Sequence, residues 1–250
     1  MRSDEFISLL CANAEKQGWE TLKKGVPLGL DASENTVFAQ KDGRTLTVRR
    51  TCVTGSGKNA FLRRTLYTLS CLYEKEQACF FVLSPHTEYG ELLRLKNMDV
   101  TVPYVRTKED FLLALETVKE LIRQRETGRG YPYLILILDG LEDLPDCNVN
   151  GDLEEYRTVF DLFTRRDQAE VLVGVDLLKS IFSGYPATFV GEGNCLVSLR
   201  EEGKADVTYV KEDGSMSLPV PIRYPSEPSA TETVIFLNSF AKNTGRDERF

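Results

Sequence analysis

The chain has 250 residues, 42% hydrophobic and 28% charged, with a formal net charge of −7. This is the composition of an ordinary soluble globular protein, long enough for one large α/β domain or for two. The charge offers nucleic acid no global attraction, apolar runs such as Leu134 to Leu138 are far short of a membrane span, and MRSDEFISLL is a poor signal peptide.

Residues Asp4 to Trp19 place Phe6, Ile7, Leu10, Cys11 and Ala14 at helical spacing. Two short strands follow, Val26 to Asp31 and Thr36 to Gln40, with a turn between them, then a strand over Arg44 to Val53. Phe61 to Tyr73 reads as a helix, and Ala78 to Pro85 as a strand covered on both faces. A short helix over Glu88 to Leu95 and a strand in VTVPYV come next. Thr107 and Asp110 form a capping signal for a long helix with Phe111, Leu115, Val118 and Ile122 on one face. YLILILDGLEDLP is a buried strand ending in acid. Further along are a helix over Asp152 to Arg166, strands in EVLVGVD, NCLVSLR and ADVTYV, an extended segment from Pro219 to Pro228, and a last helix over Thr231 to Ala241. This alternation argues for a mainly parallel sheet with helices on both faces. The six cysteines are scattered without a C-x-x-C pair, and there is one histidine. Such usage fits free thiols in a reducing cytoplasm and argues against a zinc site.

Directly after the strand at Arg44 comes TCVTGSGKNAF, Thr51 to Phe61. It approximates the phosphate-binding loop G-x-x-x-x-G-K-[S/T], which needs a strand before it and a helix after it. Small residues let backbone N–H groups curl around phosphate oxygens, the helix N-terminus favours an anion, and a lysine neutralises charge. Thr54, Gly55, Ser56, Gly57 and Lys58 meet those needs, while Cys52 replaces the first glycine and Asn59 the hydroxyl that would ligate Mg²⁺. Asp139, at the end of a buried strand, is the residue expected to complete such a site by orienting a metal through water. The next position, where many hydrolysing enzymes carry a glutamate, is Gly140.

The order of these segments resembles the FtsK/SpoIIIE-type DNA translocases and their relatives in type VII secretion systems. VPLGLDASENTVFAQ is similar to the hairpin before the loop in those motors, and VTGSGKN to their T-G-S-G-K-S. CFFVLSPHTEYGELLRL resembles the strand and helix carrying D-P-K, and TKEDFLLALETVKELIRQRE and LILILDGLEDL lie where those motors have their next helix and acidic strand. The likeness spans roughly Gly25 to Val210 and weakens beyond Glu170. It implies a P-loop NTPase (RecA-like) fold over residues 25–222, preceded by an N-terminal helix (1–24) and followed by a proline-rich segment and C-terminal helix (223–250).

The departures fall on the chemistry: Cys52, Asn59, Gly140, and Ser84-Pro85-His86 in place of D-P-K. The expected function is therefore a nucleotide-binding or pseudoATPase module of a DNA-translocation or secretion-related assembly. The alternatives are an active ATP-driven translocase and a structural protein that binds no nucleotide. Nucleotide contacts are expected from Thr54, Gly55, Ser56, Gly57, Lys58, Asn59 and Asp139. ATP should be held weakly with little help from Mg²⁺, and no catalytic residue is assigned. If only the missing groups were lost, Gly140→Glu with Asn59→Ser could restore turnover, though a ring partner or DNA could also be required. The expected partners are further copies of the chain or an active motor; DNA is a further candidate that the net charge does not support, and the location is cytoplasmic, off the membrane. His86 reads as a solvated loop residue, Arg165 and Arg166 as helix C-terminal cations, and Glu142, Asp143 and Asp146 as an acidic turn.

Overall fold

A computed structural model of the chain describes residues 1–17, 25–40, 45–50, 57–127, 131–140, 144, 169–174, 195–209, 211, 213, 215–225 and 238, and the fold is that of these residues. The expected helices over Asp152 to Arg166 and Thr231 to Ala241 lie outside them.

The elements in chain order are α1 (Ser3–Gln17), β1 (Gly25–Leu30), β2 (Thr36–Gln40), β3 (Thr45–Arg50), α2 (Gly57–Leu72), β4 (Ala78–Leu83), a 3₁₀ segment (Thr87–Arg94), β5 (Asp99–Thr101), α3 (Lys108–Thr127), β6 (Tyr133–Asp139), β7 (Ala169–Gly174), β8 (Cys195–Glu201), β9 (Lys204–Tyr209) and β10 (Val220–Arg223). All ten strands join one sheet in the order β2-β1-β10-β9-β8-β3-β7-β6-β4-β5. From β8 to β5 every pairing is parallel. The rest is antiparallel, so an α/β parallel sheet carries an antiparallel wing. The sequence alternation predicted the first part. It did not predict how the wing attaches.

The attachment is β10. The sequence reads this segment as extended, and Pro219 and Pro221 argue against a ladder there, because proline cannot donate to one. β10 nevertheless pairs with β9 from Val220 to Arg223, and β1 meets it through Leu30 and Arg223. That junction also explains the glycine in VPLGLD. A Cβ on Gly29 would lie 2.5 Å from the carbonyl oxygen of Arg223, closer than any side chain tolerates. The β1–β2 turn is held by Asp31, whose Oδ1 accepts the N–H groups of Ser33 and Asn35 at 2.8 and 2.9 Å.

Two apolar layers cover the parallel strands, and alternation along each strand divides residues between them. Phe80, Val82, Ile135 and Ile137 face the core shared with Phe61, Leu62, Leu66 and Leu69 of α2. Phe81, Leu83, Leu134, Leu136 and Leu138 face the core shared with Phe111, Leu115, Val118 and Ile122 of α3. Coverage on both sides is why β6 reads as an unbroken apolar run. The start of α3 is a reciprocal cap: Thr107 Oγ1 accepts the N–H of Asp110 at 3.1 Å, while Asp110 Oδ2 accepts that of Thr107 at 3.0 Å. At the N-terminus, Phe6 and Leu10 of α1 pack on Leu30, and Ile7 enters the α2-side core.

The two-layer arrangement predicts a sharp contrast in substitution cost. Leu136 is fully buried, so Leu136→Ala should cost about 2–5 kcal/mol. Leu113, 72% exposed on α3, should tolerate Leu113→Ala within about 0.5 kcal/mol. Urea unfolding of the two variants measures this, and equal losses would contradict the assigned faces of α3.

Candidate functional site

Sheet geometry decides where Asp139 points. In β6, odd residues face α2 and even residues face α3, so Asp139 continues the series Ile135, Ile137 toward α2. In register, Asp139 pairs with Gly174 of β7, and Gly174 with Val48 of β3. Asp139 therefore lies on the edge formed by the carboxyl ends of the parallel strands, where open α/β sheets bind their ligands.

Helix α2 starts at Gly57 on the same edge. Lys58, Leu62 and Leu66 recur at four-residue intervals, so the first turn presents Lys58 along the buried stripe that the two leucines continue. The lysine Nζ lies 2.9 Å from Asp139 Oδ1, with the two side chains 11% and 0% exposed. Oδ1 takes this partner as an ion pair rather than as a directional hydrogen bond. The other carboxylate oxygen, Oδ2, accepts the hydroxyl of Tyr89 at 2.6 Å.

Tyr89 belongs to the 3₁₀ segment and is fully buried in the α2-side core. Burial, and then the neighbouring Asp139 charge, push its hydroxyl well above the usual tyrosine range. The phenol therefore keeps its proton and acts as donor. A carboxylate taken out of water needs this much: a cation on one oxygen and a hydrogen bond on the other.

The neighbouring positions sharpen the site's character. Asn59, where a phosphate-binding loop would carry its metal-binding hydroxyl, is 7% exposed. Gly57 is exposed, and a Cβ there would make only an ordinary 3.7 Å contact with Leu199. Packing among the described residues therefore gives no reason for glycine at 57, whereas close approach of a ligand to the backbone would. Gly140 is different. Its φ is +66°, and a side chain there would run into the imidazole of His86. His86, expected as a solvated loop residue, lies against the position where many hydrolysing P-loop enzymes carry a glutamate.

Of the residues singled out from the sequence, Gly57, Lys58, Asn59 and Asp139 thus lie at one sheet edge. Thr54, Gly55, Ser56 and Cys52, the acidic residues Glu142, Asp143 and Asp146, and Arg165 and Arg166 lie outside the described residues. Tyr89 was missed as a site residue. Its only sequence signal is the Tyr89/Leu92 apolar spacing, which points to the core and says nothing of Asp139. Among the described residues, those at this edge do not fit a conventional magnesium site. The hydroxyl ligand is an amide, both oxygens of Asp139 are engaged by the protein, and no group of three His, Cys, Asp or Glu among the described residues could hold a metal. No helix among the described residues is long and apolar enough to cross a membrane.

No family model matches the sequence, and neither does any curated protein. Solved structures do match in fold. The cytoplasmic domain of the Thermomonospora curvata type VII secretion ATPase EccC superposes with a TM-score of 0.59 at 14% identity, over 86% of this chain and 31% of that one. EssC (ATPases 2 and 3) from Geobacillus thermodenitrificans gives 0.58 at 13% identity, over 88% of this chain and 50% of that one. A further structure described as an ATPase gives 0.57 at 12% identity, over 83% and 89%. The chain thus spans 31% and 50% of the EccC and EssC chains it matches. Its α/β fold, a parallel sheet flanked by helices, is similar to that of ATPase domains in type VII secretion proteins.

Proposed function

We propose that the chain is a P-loop, RecA-like domain of the FtsK/SpoIIIE type that binds nucleotide weakly and does not hydrolyse it. In this reading it is a pseudoATPase module of a secretion-related assembly, working beside an active motor or further copies of itself. The observation that carries the proposal is the meeting of Lys58 and Asp139, 2.9 Å apart at the carboxyl edge of the sheet, beside a Gly140 where a side chain would need a left-handed backbone and a shift of His86. A lysine at a helix N-terminus next to a strand-end aspartate is what phosphate binding requires. An attacking water also needs a group to position it, and nothing at position 140 can do so. The fold shared with EccC and EssC supports the assembly context, and the net charge of −7 gives no support to DNA as the partner.

Purified protein should release phosphate from ATP and Mg²⁺ at background, while a nucleotide titration registers weak binding. Sustained turnover of about 1 s⁻¹ or more would overturn the proposal if Lys58→Arg abolished it. That variant keeps a cation opposite Asp139, so its effect would not simply report unfolding.

The geometry at Gly140 also revises the expectation drawn from the sequence about restoring activity. Gly140→Glu must adopt a left-handed backbone and displace His86. It should cost about 1–3 kcal/mol of stability in urea unfolding. Combined with Asn59→Ser, it should leave phosphate release at background. Recovery of turnover by the double variant would show that Gly140 is merely a missing side chain.

A further inference from the structure

Asp139 has two oxygens to offer, and the protein occupies both in different ways. Lys58 is a surface-side partner: its side chain keeps 11% of its exposure, and an ammonium has three donors, so it can hold Asp139 and a phosphate together. Tyr89 is an interior partner. Its ring is fully buried in the core that contains Leu62, Leu66 and Leu92, so the hydroxyl on Oδ2 cannot swing away without disturbing that core. Arg63, on the next turns of α2, acts electrostatically on the same phenol and places Nη1 3.4 Å from the carbonyl oxygen of Glu88. Two fixed cations, Lys58 and Arg63, thus stand around the Asp139–Tyr89 pair.

We propose that Tyr89 makes this site metal-excluding: by holding Oδ2, it leaves Asp139 one oxygen, which Lys58 fills, so that the ligand is a nucleoside triphosphate taken as the free polyanion. This rests on the nucleotide-binding reading above and adds the residue that sets its metal dependence. A divalent cation reaching Asp139 must compete with the ammonium at Oδ1 or crowd beside the phenol already bound at Oδ2. Mg²⁺ dehydrates reluctantly and demands near-octahedral oxygen ligands, which a single contested carboxylate oxygen and an asparagine amide supply poorly. A polyphosphate entering without metal meets Lys58 and the N-terminus of α2, and it leaves the Asp139–Tyr89 hydrogen bond intact. Removing only the hydroxyl, with Tyr89→Phe, keeps the ring's packing and frees Oδ2. Asp139 can then hold Lys58 on one oxygen and a metal-bound water on the other.

The test is calorimetric titration of ATP into the full chain, once in EDTA and once with Mg²⁺, for the wild type and Tyr89→Phe, with thermal melts to verify folding. The wild type should bind ATP no more than about threefold better with Mg²⁺, whereas Tyr89→Phe should bind it about tenfold better, a gain of roughly 1.4 kcal/mol. A tenfold Mg²⁺ gain in the wild type, or a folded Tyr89→Phe indifferent to Mg²⁺, would overturn the inference and leave nucleotide binding standing. Should Tyr89→Phe not fold, Asp139→Asn decides: equal changes in ATP affinity with and without Mg²⁺ support exclusion, and a loss confined to the Mg²⁺ arm refutes it. Absence of ATP binding in both wild-type arms would instead remove the nucleotide reading, and this inference with it.

Discussion

The carboxylate of Asp139 is 1% exposed at the end of a strand whose five preceding residues are all apolar and buried. Ionised in such a place it is costly unless a cation and hydrogen bonds replace the water it has lost. Three separate elements converge to meet that demand. β6 brings the acid, α2 brings Lys58 at its first turn, and the 3₁₀ segment brings Tyr89 from 50 residues away in the chain. The ion pair therefore ties the α2 N-terminus to the sheet edge, and the phenol ties the 3₁₀ segment to the same atom group. Site chemistry and fold stability are coupled at this carboxylate, and replacing Lys58 by an uncharged residue disturbs both.

The sheet's two halves constrain this edge differently. In the parallel half, alternate residues must serve two different cores, and that parity alone turns Asp139 toward α2 and away from α3. A shift of one residue in β6 would turn the acid to the α3-side core, away from Lys58. The antiparallel wing closes the other flank of the sheet through β10. Its tight approach to β1 at Gly29 is a backbone requirement, independent of the site.

Much of this was legible in the sequence, and the limits have physical causes. β6 announced itself because burial on both faces gives an uninterrupted apolar run ending in acid. Lys58 was placed because a glycine-rich turn between strand and helix admits few geometries. β10 was hidden because prolines argue against a ladder, yet an exposed Pro221 is tolerated where the neighbouring strand makes contact only near its end. Tyr89 was invisible as a site residue because its role depends on a pairing across 50 residues, whereas its local spacing says only that it is buried. Gly140 could be read as an absent side chain. Its left-handed backbone and the imidazole of His86 give a reason why a side chain there is disfavoured.

Lys58 and Asp139 must form one energetic unit if the site is built as described, and a double-mutant cycle on unfolding free energy tests that most directly. Lys58→Met and Asp139→Asn, measured by urea unfolding, should each cost about 3–5 kcal/mol, since each leaves the partner buried without its counter-charge or its acceptor. The double variant should cost no more than the larger single change, because no orphaned charge remains. Single losses that add to within about 0.5 kcal/mol would show two independent side chains and would contradict the central role of the pair.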